Sequence, residues 1–169
     1  MSEDQANPAP QTPAMDPNAP IFAPQNIYIK DASYEAPNGP NINFGNTQPQ
    51  MNMEMKLKPQ QLAEGFHEVV LEFRLEAKVN DTVVYLVEVQ QAGLFVIRNV
   101  SADDMRKLIG VGAPNFLLPY ARQAISDLII KGGFPPFLLP AMDFAAMLEA
   151  QERQAAMGEG ATNPSPVVN

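Results

Sequence analysis

The chain has 169 residues, a net charge of −8, no cysteine and a single histidine. This length fits one domain with a core of ordinary size. Without cysteine there can be no disulfide or thiolate metal site, and one histidine makes a histidine-based metal cluster or triad unexpected. The acidic balance makes nucleic acid and anionic membranes poor partners and favours a basic protein partner. No metal or cofactor is therefore expected.

The two ends of the chain differ in composition from its middle. Residues 1–25 are rich in proline, and residues 158–169 are similarly polar. Such segments bury too little apolar surface to offset their ordering entropy, so both are predicted to be disordered tails around one domain, residues 26–157. The N-terminus lacks a charged-then-apolar signal pattern, and no apolar run approaches ~20 residues. These features predict a soluble, cytoplasmic protein that does not insert into membranes.

Alternation of apolar and polar residues predicts an antiparallel sheet of about four strands in the first part of the domain. Asn80-Asp81 is expected at the tip of a hairpin, and Ala92-Gly93 is expected to bend the last strand. Helices are expected afterwards, which gives the α+β class. The predicted strands are residues 27–35, 51–58, 68–79 and 82–91, the last continuing as 94–97.

Two of these strands offer carboxylates on one face, because side chains alternate along a strand. The predicted outer faces carry Asp31, Ser33 and Glu35 on the first strand, and Leu86, Glu88 and Gln90 on the last. Acids beside an exposed leucine favour a docking surface for a basic partner, although ordinary solvated charges would give the same pattern. A carboxylate pair could also serve a hydrolase. No nucleophile–base arrangement accompanies it, so an enzyme is not expected.

Three helices are expected after the strands. Ser101 is a plausible N-cap for residues 102–109, and Pro119 can begin a second helix that ends at Lys131. Asp143 can cap a third helix that ends near residue 154. The second helix is predicted to carry one apolar stripe, made of Tyr120, Ala121, Ala124, Ile125, Leu128 and Ile129.

The connection between the last two helices, Phe134–Met142, reads FPPFLLPAM and carries no charge. A segment that merely crosses the surface should be polar. It can pack on its own core, or it can wall an apolar groove for an extended ligand. The sequence leaves both alternatives open.

Three long motifs resemble the SecB protein-export chaperones. They read IYIKDASYEAPN, YLVEVQQAGLF and GVGAPNFLLPYARQAISDLIIKGGFPPFLLPAMDF, and the likeness covers roughly residues 26–150 in order. The resemblance implies a four-stranded antiparallel sheet packed on a long helix, and a homotetramer built as a dimer of dimers. It also implies a holdase that keeps unfolded secretory precursors translocation-competent and delivers them to SecA, the export ATPase.

The resemblance also implies roles for individual residues. The family's KDxSxE and LxE motifs match Lys30–Glu35 and residues 86–88, which makes Asp31, Glu35, Leu86 and Glu88 the SecA-docking candidates. Subunit pairing is expected at Val87, Val89 and Gln91, with Ile125 and Ile129 added because they offer apolar surface beyond what one sheet covers. The client-groove candidates are Phe116, Tyr120, Phe134, Phe137, Leu138 and Phe144.

One other binding function stays open. The acidic sheet could belong to an adaptor that tethers a basic partner and never touches unfolded chains. The apolar segment Phe134–Met142 favours the holdase, since an adaptor has no use for a second, apolar surface.

Overall fold

A computed structural model of the chain describes Asp16, residues 18–39 and residues 49–159. Of residues 158 and 159 only the backbone is described. A long-stranded sheet comes first and helices follow. In chain order the elements are strands β1 (Ile21–Glu35), β2 (Gln50–Ala63), β3 (Phe66–Val79) and β4 (Thr82–Arg98), helix α1 (Ala102–Lys107), a π-helical turn (Leu108–Gly112), and helices α2 (Ala113–Lys131) and α3 (Phe144–Glu159).

The four strands form one antiparallel sheet in the order β1-β4-β3-β2. β2, β3 and β4 follow one another as a meander, and β1 pairs with β4 at the far edge. Asn80 and Asp81 have φ of 48° and 64°, so this pair makes the tight β3–β4 turn without glycine. The predicted hairpin and fold class are confirmed.

Helix α2 covers one side of the sheet, mainly over β4 and β3. Its buried stripe recurs every four residues, so one face of the helix meets the sheet. Gly93 lies under this helix, where a Cβ would come within 2.9 Å of a Leu117 methyl. The fully buried residues of this layer include Leu117, Ala121, Ile125 and Ile129 on α2, above Phe73, Val87, Val89 and Phe95 on the strands.

Three strand predictions need correction. β2 ends at Ala63, not at residue 58. β1 begins at Ile21, not at residue 27, because Phe22 stacks on Phe95 with ring centroids 5.4 Å apart. Its prolines made this stretch look like part of a disordered tail, but β1 is an edge strand and tolerates proline. β4 does not bend at Ala92-Gly93 but continues to Arg98; the glycine there gives room to α2.

The helical predictions hold at the caps and fail at some boundaries. Ser101 accepts a hydrogen bond from the Asp104 amide at 3.1 Å, and Asp143 accepts one from the Ala146 amide at 2.9 Å. α2 begins at Ala113, so Pro119 lies inside the helix instead of in its first turn. Proline removes one helical hydrogen bond, and the buried stripe on either side of it outweighs that loss.

The far end of the chain also differs from its predicted boundary. α3 runs to Glu159, past the predicted end near residue 154. Of the two predicted tails, residues 1–15, 17 and 160–169 lie outside the described residues.

Candidate docking and client-binding surfaces

The predicted docking residues share the side of the sheet that faces away from the helices. In the β1–β4 register Asp31 lies opposite Gln90, and Glu35 lies opposite Leu86. Glu88 lies between them, opposite Ser33. Directly paired residues project from the same face of a sheet, so the predicted common face is confirmed. We call Asp31, Glu35, Leu86 and Glu88 the docking face.

Acids and bases alternate across this outer side, so it is less acidic than its carboxylates alone indicate. Arg74 pairs with Glu88, Lys58 with Glu72, and Lys78 with Glu76. The Lys78 hydrogen bond lowers the pKa of the Glu76 carboxyl. Among the described residues, the ion pairs leave out both β1 acids of the docking face. The unpaired negative charge of the docking face is therefore concentrated on β1.

Farther along the same side, a buried carboxylate ties β1 to β3 across β4. The Glu68 side chain is 7% exposed, and Lys30 Nζ lies 2.6 Å from its Oε2. The Tyr28 hydroxyl donates to the other carboxylate oxygen. Lys30 and then Tyr28 lower the pKa of Glu68, and the bond to Glu68 together with burial raises the pKa of Tyr28 to about 12. The triad is a structural brace for the edge strand.

The residues predicted at a subunit interface are placed differently. Val87, Val89, Ile125 and Ile129 are 0% exposed within this single chain, because α2 covers the odd-numbered side of β4. Gln91 is also buried, and its side chain donates to the Tyr28 carbonyl at 2.9 Å. The expectation that they offer free apolar surface to another copy is wrong, since strand and helix residues cover one another.

The segment after α2 returns along that helix in extended form. Phe134 packs against Tyr85, with centroids 5.1 Å apart, beside the end of α2. Ala141 and Met142 line a depression with Asn115, near the start of α2. Leu138 is 74% exposed between two anchored stretches, whereas Leu139 is buried. The segment is therefore anchored in its own core, as the first alternative has it, and it also presents Leu138 outward; the groove for an extended ligand stays a prediction.

The six predicted groove residues come from three parts of the chain: the returning segment, the start of α2 and the start of α3. Phe134, Phe137 and Leu138 belong to the returning segment. Phe116 and Tyr120 lie near the start of α2, where they stack with centroids 6.1 Å apart. Phe144 is 3% exposed and belongs to the core, so its assignment to a groove is wrong. The helix that carries it is predicted to line the groove; in its first turn Phe144 is buried, whereas Ala145, Ala146 and Met147 are exposed.

A row of residues on β2 was missed as part of this surface. Met51, Met53, Met55 and Leu57 all lie on the helix side, since the register pairs them with the buried side of β3. α2 packs on β4 and β3 and leaves this row partly open, with Met53 36% exposed. We call these four residues the methionine row. Their alternation predicts a strand, and an apolar row on an edge strand is the sequence signal that points to an exposed surface.

The methionine row reaches the returning segment through one tyrosine. The Tyr85 hydroxyl donates to Met51 Sδ at 3.6 Å, and the same ring packs on Phe134. Apolar side chains thus extend from β2 to residues 134–138. Methionine side chains adapt readily to different apolar partners.

Other kinds of site were sought in the described ranges. Residues 16, 18–39 and 49–159 contain no group of three or more histidine, cysteine or acidic side chains placed to hold a metal ion. Within the same ranges, no helix is long and apolar enough to cross a membrane.

The architecture and its two contrasting surfaces define a binding protein of the chaperone class. The family model described as "Preprotein translocase subunit SecB" matches residues 15–155. The chain belongs to the SecB family of protein-export chaperones.

Individual relatives agree with this assignment. Protein-export protein SecB of Methylobacillus flagellatus is 40% identical, with 96% of this chain and 99% of the relative covered. The protein of the same name from Nitrosococcus oceani is 43% identical, with 95% and 97% covered. Among solved structures, a SecB-like chaperone of Mycobacterium tuberculosis, in complex with a peptide from an antitoxin, shares the fold at a TM-score of 0.60. That match has 15% identity and covers 72% of this chain and 90% of the other.

Proposed function

We propose that this chain is a cytoplasmic holdase that binds unfolded secretory precursors on its helix side and docks on SecA through its outer side. The observation that carries the proposal is the two-sided sheet. Its outer side presents the docking face, and its helix side leaves the methionine row and Leu138 partly exposed. The surfaces lie on opposite sides, so a client and SecA can be bound together.

Client binding follows from the chemistry of the apolar surface. An unfolded precursor exposes apolar side chains in extended segments, and burying them is worth ~25 cal/mol per Å². Flexible methionines accept many shapes without reading a sequence. Binding should therefore be promiscuous, and slow-folding precursors should be captured preferentially because they expose these side chains longer.

The protein is proposed to act as a homotetramer, a dimer of dimers, as expected for the family. Exposed apolar residues other than those first predicted support self-association. Ile29 on β1 is 52% exposed and Ile130 on α2 is 51% exposed. Single exposed residues of this size are tolerated in monomers, but a shared interface would bury them. Light scattering at micromolar protein should give the mass of four chains.

No catalytic step is part of this proposal, and binding needs no metal or cofactor. The adaptor alternative is not favoured, because it leaves the exposed apolar surface on the helix side without a purpose.

One experiment tests the proposal directly. The purified protein is mixed with a chemically denatured precursor, and the recovery of folded precursor is followed while the complex is sized. Suppressed folding together with a stable complex is expected, and addition of SecA should give a ternary complex. Unhindered folding of the precursor would refute the holdase, and binding of SecA alone would restore the adaptor.

A further inference from the structure

We propose that Arg74 is a specificity-determining residue that masks Glu88, so that a basic partner must displace it to engage the docking face fully. The inference rests on the proposed function, because it concerns how SecA meets that face. Arg74 belongs to none of the motifs that carry the family resemblance.

The geometry places Arg74 directly against Glu88. The two residues are register partners on β3 and β4, and Arg74 Nη1 donates to Glu88 Oε1. Their side chains are 48% and 39% exposed, so the pair is open to a partner. Paired residues on neighbouring strands have Cβ atoms about 5 Å apart, so the contact is short-range and needs no rearrangement of the backbone.

A second carboxylate is an alternative ion-pair partner for Arg74. Glu54 on β2 is its register partner on the other side, and both lie on the outer side of the sheet. Glu54 is exposed and, within the described residues, takes part in no ion pair. Arg74 therefore lies between two acids. A partner's cation that takes Glu88 leaves the guanidinium free to turn to Glu54, so no charge is left uncompensated.

The docking face thus contains acids of two kinds. Asp31 and Glu35 on β1 are open, whereas Glu88 on β4 is already paired. A single cation gains little at Glu88, because it exchanges one exposed ion pair for another. A partner with several positioned cations gains at the open acids first and then competes with Arg74 locally. Masking therefore disfavours incidental basic ligands relative to a multivalent partner, which is selection by a difference in affinity.

The test compares Arg74→Gln with Lys58→Gln. Both changes remove one positive charge from the same side of the sheet, but Lys58 is paired with Glu72 and not with the docking face. Titration of purified SecA at low salt is expected to show Arg74→Gln binding about two- to fivefold more tightly than Lys58→Gln, the range of an exposed ion pair. Arg74→Lys restores the counter-charge and should return the affinity close to wild type.

The same comparison in a Glu88→Gln background shows whether Arg74 acts through Glu88. There Arg74→Gln should no longer tighten binding, because the masked acid is gone. Equal affinities for the Arg74 and Lys58 variants, or a gain that persists without Glu88, would overturn the masking role while docking itself stands. Absence of SecA binding by the wild-type protein would remove the proposed docking function, and this inference with it.

Discussion

The two sides of strand β4 show how one segment supports two unlike surfaces. Its even-numbered residues, among them Leu86 and Glu88, project outward among charges from the neighbouring strands. Its odd-numbered residues, such as Val87 and Val89, are fully covered by α2. The apolar surface left for a client is therefore not on β4 but at the β2 edge, which the helix does not reach. Charged and apolar residues lie on opposite sides of the sheet, so substitutions should separate docking from client holding.

The largest effect is expected from reversing the charge of Glu88, the central acid of the docking face. Glu88→Lys places a positive charge beside Arg74 and opposite a basic partner, and like charges across an interface cost several kcal/mol. SecA affinity should fall about a hundredfold or more, while holding of a denatured precursor is unchanged. Binding assays on the two activities check this. Glu149→Lys on α3, an equal charge reversal outside the outer side, is the control. Equal losses in both variants would contradict a local docking role.

The carboxylate of Glu68, on the same outer side of the sheet, should affect the stability of the fold and not docking. Glu68 is buried and hydrogen-bonded to Lys30 and Tyr28, and a hydrogen bond to a charged group contributes about 1.5–3 kcal/mol. Glu68→Gln should lower the free energy of unfolding by about 2 kcal/mol at neutral pH, as measured by urea denaturation. Intrinsic SecA affinity of the folded fraction should not change.

The pH dependence of this variant has a defined sign. Partners lower the folded-state pKa of Glu68 below its ordinary value of 4.5. Its contribution is therefore complete above that value and is lost as pH falls through the lower, folded-state pKa. The stability difference between wild type and Glu68→Gln should shrink on acidification below pH 4.5. A difference that stays constant would rule out an ionised carboxylate as the source of the stabilisation.

Salt should separate the two activities to a moderate degree. At 1 M salt the Debye length is about 3 Å, against about 10 Å at 0.1 M. We expect SecA affinity to fall about tenfold across that range, because the docking face is exposed. Precursor holding should change little, since apolar contacts are not screened. Parallel titrations of both activities measure this, and equal salt slopes would show that the surfaces are not chemically distinct.

The smallest effect is expected from polar substitution on the client surface. Met53→Ser and Leu138→Ser each remove one partly exposed apolar side chain from a broad surface, so each should weaken precursor holding by roughly two- to fivefold. Docking should be untouched. Met157→Ser on α3, which is 77% exposed, is the matched control. If the control weakens precursor holding as much as the two variants do, the client does not bind at the methionine row or Leu138.

Most of the fold could be predicted because alternation and capping are local signals. The strands of the meander, the Asn80-Asp81 turn and the caps at Ser101 and Asp143 follow from near neighbours in sequence. The start of β1 did not, because its prolines resemble a tail and only Phe95, far along the chain, reveals the pairing. Gly93 predicts a bend when only the sequence is considered. Its actual role is to leave space for α2, and the position of that helix depends on tertiary packing.

The candidate site divides in the same way. That Asp31 and Glu88 share a face depends only on strand period and was predictable. That Glu88 is paired with Arg74 depends on a register shift between Ala77 and Lys78, which the Asn80-Asp81 turn alone does not specify. The methionine row is visible in the sequence as alternation, but its exposure depends on which strands α2 packs against. Burial of Val87 and Phe144 likewise depends on tertiary contacts.

The order of strands in the sheet has a consequence for how the protein itself folds. β1 is made first, yet it pairs with β4, as in the pairing of Ile21 with Arg98, whereas the β2-β3-β4 meander needs only local hairpins. Closing a long loop is entropically costly and slow compared with local pairing. We therefore expect β1 to dock last. Until it does, Asp31 and Glu35 are not beside Glu88, and the docking face is incomplete. We therefore expect the partner not to bind an incompletely folded chaperone.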